Sequence, residues 1–193
     1  MINSRTPFRV SFFGGGTDYP DWFHEHGGAV LATTIDKYCY ISVRELPPFF
    51  DHRFRVVYSI VENVQDVAEI AHPAVRAVLQ RLEVNRGLEI HHDGDLPARS
   101  GLGSSSAFTV GLLHAVHALR GRQVSKEALA SEAIHVEHCM LREPVGLQDQ
   151  ISPAYGGFNQ IRFRHDGTYD VEPMVLPRER LAALQDHLLL VFT

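Results

Sequence analysis

The sequence is poor in cysteine and has no long apolar run. Cys39 and Cys139 are its two cysteines. Two isolated thiols exclude the disulfide framework that stabilises small secreted domains. No hydrophobic stretch approaches the roughly 20 residues that span a bilayer, and the first residues lack the apolar core of a signal peptide. We therefore expect a cytoplasmic protein with free thiols and no membrane partner.

Excess positive charge is also missing, because 18 Lys and Arg residues stand against 23 Asp and Glu, a net charge of -5. That balance argues against a general nucleic-acid surface. There are 12 histidines, yet no His-Glu-x-x-His pattern occurs, so we expect no catalytic zinc site. A 193-residue chain that is 45% hydrophobic and 21% charged is long enough for one substantial core.

Glycine and serine are concentrated in residues 97–107, which read Pro-Ala-Arg-Ser-Gly-Leu-Gly-Ser-Ser-Ser-Ala. This loop follows a strand-like run at 88–92 and precedes an apolar helix at 108–116. No Gly-Lys-Ser/Thr follows the glycines, so it is not a Walker loop, and the third glycine of a dinucleotide fingerprint is missing.

The chemistry of this loop suits a nucleoside triphosphate. Gly101 and Gly103 allow positive φ and close approach of backbone N–H groups to an anion. The helix start adds free N–H donors and the positive end of its dipole. Ser104, Ser105 and Ser106 can cap the helix, bind phosphate or reach a magnesium ion. The alternative is an ordinary turn with a helix N-cap.

A second glycine-rich segment, Gly14-Gly15-Gly16-Thr17-Asp18, interrupts a strand predicted at 8–13. Three consecutive glycines indicate either a strained turn or a ligand lying against the backbone. Asp18 is a candidate ligand for hydroxyl groups, and equally a candidate cap for a helix at 19–23.

The remaining elements are predicted from periodicity and turn residues. We expect a hairpin of strands 29–35 and 38–43 joined by Asp36-Lys37, a strand at 54–58, a helix from Pro73 to near Asn85 or Gly87, a helix capped by Ser125 and running to about Met140, a turn at 144–150, strands 158–163 and 169–172 joined by Asp166-Gly167, and a buried strand at 188–193 that stops at the chain end.

Three stretches resemble the signatures of the GHMP kinases, the superfamily of galactokinase, homoserine kinase and mevalonate kinase. They are residues 97–107, the Pro7–Arg9 region with 14–19, and Gly146-Leu147-Gln148-Asp149-Gln150 with Tyr155-Gly156-Gly157. All three fall in the family order. The combination of Gly-Gly-Gly-Thr-Asp with Gln-Asp-Gln is most similar to the D-glycero-D-manno-heptose 7-phosphate kinases.

The resemblance implies an α+β fold of the ribosomal protein S5 domain 2-like type, with residues 1–193 forming the N-terminal, ATP-binding domain and the last strand cut short. The family's third glycine-rich signature does not occur before Thr193. We therefore expect the C-terminal GHMP domain to be absent from this chain.

The resemblance also implies the roles of individual residues. ATP phosphates would bind Pro97, Ser100, Gly101, Leu102, Gly103 and the serines at 104–106, and Mg²⁺ would bind Ser105 and Glu137. Asp149 would accept the proton of the attacking hydroxyl, or at least orient that hydroxyl. Arg9 would steady the transferred phosphoryl group or lower the pKa of the attacking hydroxyl. The sugar would bind at Gly14, Gly15, Gly16, Thr17, Asp18, Gly156 and Gly157.

Each role has a structural alternative. Glu137 fits a solvated helix face, Asp149 a turn cap, and Arg9 an outward strand position. The cation for the substrate's own phosphate is left open among Arg5, Lys37, Arg99 and Arg142.

The expected reaction is ATP-dependent phosphorylation of the anomeric hydroxyl of a heptose 7-phosphate. The alternatives are a kinase for fucose, galactose or mannose, and a noncatalytic module that binds a nucleotide or sugar. The oligomeric state does not follow from the sequence.

Overall fold

A computed structural model describes residues 1–97, 100–189 and 191 as a mixed sheet covered by helices. Its seven strands are β1 Ile2–Phe13, β2 Gly28–Glu45, β3 Phe54–Val57, β4 Val61–Val64, β5 Leu88–Gly94, β6 Phe158–Phe163 and β7 Tyr169–Pro173. The strand order is β4-β3-β5-β2-β6-β7, and β1 pairs with β2. Only the β3–β5 pair is parallel among the pairs described.

In the described part of the chain, six α-helices accompany the sheet: α1 Pro20–His26, α2 Pro73–Arg81, α3 Ser104–Leu119, α4 Lys126–Ile134, α5 Gln148–Tyr155 and α6 Arg178–Asp186. A π-helical segment, His135–Met140, continues α4, and Val67–Glu69 forms a short 3₁₀ turn. The predicted cap of α4 is confirmed, since Ser125 Oγ accepts a hydrogen bond of 3.1 Å from Ala128 N–H.

The core lies between the sheet and helices α2 to α5. Helix α3 packs directly on β1 and β2, and most of its side chains are buried. Apolar side chains from both layers, among them Phe8, Ile41, Ile90, Leu112 and Leu113, are at most 2% exposed. Because α3 is so fully enclosed, the start of this helix at Ser104 has a fixed position relative to β1 and β2.

The predicted hairpin at Asp36-Lys37 is wrong. Strand β2 runs without interruption through both residues. The pairing register nevertheless shifts there, because Pro7 lies opposite Tyr38 and Arg9 lies opposite Thr34. A β-bulge absorbs the extra residues. Asp36-Lys37 lacks the glycine or asparagine that a tight hairpin turn requires, so the chain bends instead of reversing.

Three other boundaries differ from expectation. Helix α2 ends at Arg81, and Glu83 after it has φ of +50°. The predicted turn at 144–150 becomes helix α5 from Gln148 onward, whose buried polar side chains hide any apolar periodicity. At the chain end, Leu188, Leu189 and Val191 are exposed and lie in no strand, while Leu190, Phe192 and Thr193 are outside the described residues.

The other strands and the Asp166-Gly167 turn are confirmed. Gly167 has φ of +85°, and its N–H donates to Arg164 O at 3.0 Å. Both cysteines are free thiols, Cys39 buried and Cys139 exposed. Within the described residues, every helix is too short or too polar to cross a membrane.

Two histidines pack on Phe108, in the second turn of α3. The His72 ring stacks on Phe108 at 4.8 Å, and the His92 ring meets it edge-on at 5.0 Å. Burial lowers the pKa of both imidazoles, and the nearby carboxylates of Glu62 and Asp93 only partly oppose this for His72 and His92 respectively. Both rings are therefore neutral at neutral pH.

These lowered pKa values predict an acid-sensitive fold. The unfolded chain has ordinary histidines and binds more protons, so this stability is present above about pH 6.5 and is lost as pH falls toward the folded-state pKa. Urea unfolding at pH 7.5 and at pH 5.5 gives the free energy of unfolding at each pH. We expect its decrease from pH 7.5 to pH 5.5 to be smaller in His92→Phe than in the wild type. An equal loss in both proteins would contradict this role of His92.

Candidate active site

Arg9 joins strand β1 to the glycine-serine loop. Its backbone N–H donates to Leu102 O at 3.1 Å, and its Nη1 donates to Gly101 O at 2.9 Å. A Cβ on Gly103 would lie 3.2 Å from Arg9 Cγ, so a glycine lets the loop pass closely over this side chain. The outward strand position considered for Arg9 is thereby excluded.

The same guanidinium binds Asp149. Arg9 Nε and Nη2 donate to Asp149 Oδ1 at 3.0 and 2.8 Å. The two side chains are 14% and 17% exposed, so the pair is largely shielded from water and stronger than a surface ion pair. The structure thus brings together two residues that are 140 positions apart in the sequence.

Asp149 lies in the first turn of α5. Burial raises the pKa of its carboxyl above the ordinary value, Arg9 opposes that effect, and the Asp18 carboxylate reinforces it. Its Oδ2 atom has no hydrogen bond to the described residues. Asp149 is therefore a carboxylate held at one oxygen by Arg9, with the other oxygen available to a ligand.

The glycine-serine loop delivers α3 with its N-terminus toward this pair. Gly103 is the N-cap, in the left-handed region at φ +71°, and no side chain caps the helix. The N-cap is therefore a glycine of this loop, and none of its serine side chains caps the helix. A helix start presents backbone N–H donors and the positive end of the helix dipole, as an anion site requires. Ala98 and Arg99 of this loop are outside the described residues.

Glu137, on the π-helical segment, is fully buried beneath the loop. Its Oε2 accepts hydrogen bonds from Ser106 Oγ at 2.7 Å and from Gln150 Nε2. Burial raises the pKa of this carboxyl. The solvated helix face considered for Glu137 is therefore wrong, and Ser106, rather than the exposed Ser105, supplies the hydroxyl beside it.

The Mg²⁺ that the resemblance implies fits this arrangement. Glu137 Oε1 is enclosed and has no hydrogen-bond partner within the described residues. Mg²⁺ is commonly held by one or two carboxylates together with phosphate oxygens and water. One carboxylate therefore suffices, although His, Cys, Asp and Glu side chains form no cluster of three or more suited to a metal within the described ranges.

Asp18 is 0% exposed. Its carboxylate accepts hydrogen bonds from Gly16 N–H at 3.0 Å and from Gln148 N–H at 3.3 Å. Neither candidate role fits this geometry, because helix α1 has no side-chain cap and a fully buried carboxylate does not face a sugar. Asp18 instead fastens the glycine turn to the start of α5.

The three glycines of the Gly14-Gly15-Gly16 turn differ in whether the surrounding structure requires a glycine there. A Cβ on Gly14 would lie 1.9 Å from Ala29 O, so close backbone approach requires this glycine. A Cβ on Gly16 would meet nothing within 4 Å, and one on Gly15 would meet only two side-chain atoms, at 3.8 and 3.9 Å. Thr17 Oγ1 donates to Gly14 O at 2.8 Å. The turn is thus backbone-packed at one end and open at the other.

Gly156 and Gly157 end helix α5 with φ of +67° and +86°. Gly157 N–H donates to Thr34 Oγ1 at 2.8 Å, and Thr34 lies opposite Arg9 in the sheet. A Cβ on either glycine would meet nothing within 4 Å. The pair therefore borders the Arg9 region with open space in front of it.

The candidate phosphate cations are dispersed. Arg5 lies over the Tyr38 ring at 4.5 Å, and Lys37 is exposed in the β2 bulge. Arg142 follows the π-helical segment with φ of +56° and is exposed. Arg99 is outside the described residues. The choice among them stays open.

The sequence assigns no role to Gln150 or Gly146, and it assigns Ser106 to the ATP phosphates and not to Glu137. Gln150 and Ser106 position Glu137, and Gly146 makes room for Asp18, whose Oδ2 would lie 1.8 Å from a Cβ there. Each of these three residues lies inside one of the motifs that resemble the GHMP kinase signatures, so the sequence does mark its segment as part of the site. Only the folded contacts show which neighbour each one serves.

The chain matches the model of the GHMP kinases N terminal domain over residues 67–157. It is 27% identical to a D-glycero-alpha-D-manno-heptose 7-phosphate kinase of Campylobacter jejuni, across 100% of this chain and 59% of that protein. It is 26% identical to a galactokinase of Chloroflexus aurantiacus, across 95% of this chain and 48% of that protein. The chain spans about half the length of these relatives.

A crystal structure described as a D-glycero-D-manno-heptose 1-phosphate kinase from Bacteriodes thetaiotaomicron shares the fold. Its TM-score is 0.83 at 24% identity, with 93% of this chain and 61% of that chain covered. The expected α+β fold is thereby confirmed. The fold is that of solved small-molecule kinases, and the glycine-serine loop of this chain has no Walker lysine. Over residues 67–157 the chain is similar to the N-terminal domain of the GHMP kinases, and along its whole length it is similar to a heptose 7-phosphate kinase.

The contact between Gly146 and Asp18 predicts a stability difference between two glycine substitutions. Gly146→Ala places a methyl group against the buried carboxylate, so we expect a loss of about 1–3 kcal/mol in the free energy of unfolding. Gly15→Ala is the matched control, because Gly15 has an ordinary φ and open space. Urea unfolding of both variants measures the difference, and equal stabilities would refute the role assigned to Gly146.

Proposed function

We propose that this chain carries the catalytic residues of an ATP-dependent sugar kinase that phosphorylates the anomeric hydroxyl of D-glycero-D-manno-heptose 7-phosphate. The observation that carries the proposal is the placement of Asp149 and the glycine-serine loop on opposite sides of the Arg9 guanidinium. Similarity to a heptose 7-phosphate kinase along the whole chain supports the choice of sugar.

In the reaction, the hydroxyl oxygen attacks the γ-phosphorus of ATP, the bond to the β-phosphate oxygen breaks, and ADP leaves. Asp149 accepts the hydroxyl proton at Oδ2, because Arg9 occupies Oδ1. Burial raises the pKa of Asp149 toward the range in which a carboxylate is an effective base. Positioning and charge neutralisation supply most of the catalysis in phosphoryl transfer.

Arg9 contacts both the proton acceptor, Asp149, and the loop that would bind the phosphates. Its guanidinium keeps Asp149 ionised and oriented, and it lies at the loop whose backbone would cradle the phosphates. A cation in that position stabilises negative charge that develops on the transferred group. The N-terminus of α3 adds N–H donors on the phosphate side.

The residues that would hold Mg²⁺ are Glu137, through its unpartnered Oε1, and a serine hydroxyl of the α3 start. The ion, when bound, neutralises charge on the phosphate oxygens. Gln150 and Ser106 keep Glu137 in place by binding its other oxygen. Burial without a cation disfavours the ionised carboxylate, so ion binding and deprotonation of Glu137 are expected to be linked.

A second candidate is a kinase for a galactose-type sugar, which the similarity to galactokinases along most of the chain favours. The two candidates share the phosphate loop and Asp149 and differ in the acceptor. ADP release with MgATP and a panel of heptose 7-phosphate, galactose, fucose and mannose separates them. Turnover with heptose 7-phosphate alone supports the proposal, and turnover with galactose alone overturns the assignment of the sugar.

The base role of Asp149 predicts the effect of Asp149→Asn. We expect kcat to fall about 10²–10⁴-fold, since the amide cannot accept the proton. MgATP affinity should stay close to that of the wild type, because Asp149 does not belong to the glycine-serine loop. Stopped-time ADP assays and calorimetric titration with a nonhydrolysable ATP analogue measure the two quantities.

The matched control is Asp166→Asn, in the exposed turn between β6 and β7. It makes the same chemical change away from Arg9 and should leave kcat unchanged. Full turnover by Asp149→Asn would exclude Asp149 as the base.

A further inference from the structure

Gln148 is a buried residue whose side chain has no structural partner among the described residues. It is 6% exposed, and its Oε1 is enclosed without a hydrogen bond to any of them. The side-chain amide donates no hydrogen bond within the described ranges either. Its backbone N–H is used, at 3.3 Å from Asp18 Oδ2. Buried amides in folded proteins are almost always hydrogen-bonded, so an amide with neither atom bound to a protein group requires an explanation.

Gln150, two residues away on the same helix, shows the contrast. Its Nε2 donates to Glu137 and to Ser106 Oγ. That amide supports a neighbouring protein group, whereas the Gln148 amide supports none in the described part of the chain. Both glutamines have an enclosed Oε1 without a partner among the described residues. Hydrogen bonding to protein groups accounts for the Nε2 of Gln150 and not for the Nε2 of Gln148.

The surroundings of Gln148 identify where its amide is directed. Gln148 Nε2 lies 3.8 Å from the position that a Cβ on Gly15 would occupy, and Ser11 Oγ lies 3.9 Å from the same point. Gly15 itself is exposed. Two polar groups thus converge on the open space in front of one glycine, immediately beside Asp149 in the sequence.

The φ of Gly15 lies outside the left-handed region, and no backbone atom crowds its Cβ position. Neither conformation nor packing therefore demands glycine here, unlike at Gly14, where a Cβ would meet Ala29 O at 1.9 Å. The absence of a side chain at position 15 leaves room over the amide and the hydroxyl.

We propose that the Gln148 amide and the Ser11 hydroxyl form a hydrogen-bonding floor over Gly15 that binds a hydroxyl group of the sugar acceptor. This inference rests on the proposed function and deepens it, because it assigns acceptor recognition to two residues outside the catalytic pair. At this floor the Gln148 Nε2 donates, and the Ser11 hydroxyl donates or accepts, which suits a hydroxyl group of a polyol. Leaving such a buried amide unpaired penalises an acceptor that lacks the matching hydroxyl.

The test uses the active enzyme with MgATP, D-glycero-D-manno-heptose 7-phosphate and its monodeoxy analogues. Gln148→Leu should raise the acceptor KM about tenfold and leave kcat and the KM for ATP nearly unchanged. The wild type should disfavour one monodeoxy analogue to a similar extent, and Gln148→Leu should not distinguish that analogue from the parent sugar.

Two further variants separate recognition from folding. Gly15→Ala places a methyl group over the floor and should raise the acceptor KM while keeping the unfolding midpoint of the wild type. Gln80→Leu, an exposed position on α2, makes the same substitution outside the site and should leave every parameter unchanged.

An unchanged acceptor KM in Gln148→Leu, with an active wild type, overturns the inference and leaves the proposed function standing. A joint loss of kcat, ATP affinity and unfolding midpoint in Gln148→Leu assigns the amide to packing and also overturns it. Absence of turnover by the wild type with every acceptor overturns the proposed function and this inference with it.

Discussion

The Arg9–Asp149 pair is the interaction on which the geometry of the site depends. One guanidinium binds the carboxylate at 2.8 and 3.0 Å and the Gly101 carbonyl at 2.9 Å. It thereby sets the separation between the loop that would hold phosphate and the carboxylate that would accept a proton. Because both side chains are mostly buried, removal of either partner leaves an uncompensated charge in a poorly hydrated place.

Around this pair, hydrogen bonds between buried polar groups hold the segments together, whereas apolar packing does so elsewhere in the fold. Asp18 ties the glycine turn to α5, and Glu137 ties the π-helical segment to α3 and α5. Networks of this kind are costly unless every member is satisfied. Among the atoms that stay unsatisfied within the described residues are Glu137 Oε1, where a metal ion is proposed to bind, and Gln148 Oε1, whose neighbouring Nε2 faces the proposed acceptor site.

The sequence predicted the fold wherever local chemistry decides it, as at the Ser125 cap of α4. It was wrong at Asp36-Lys37, where pairing with β1 keeps a long strand intact through a bulge. The motifs likewise identified the catalytic candidates, because each motif carries its own chemistry. They did not show that Asp18 is buried or that Ser106 contacts Glu137. Those facts depend on contacts between segments far apart in sequence, which no local pattern records.

The most direct test of this account is a double-mutant cycle on Arg9 and Asp149, using Arg9→Met, Asp149→Asn and the double variant, with the free energy of unfolding as the readout. A shared, shielded ion pair predicts a coupling free energy of at least about 1 kcal/mol, with the double variant less impaired than the sum of the single variants. A coupling near zero would contradict the claim that this pair holds the two sides of the site together.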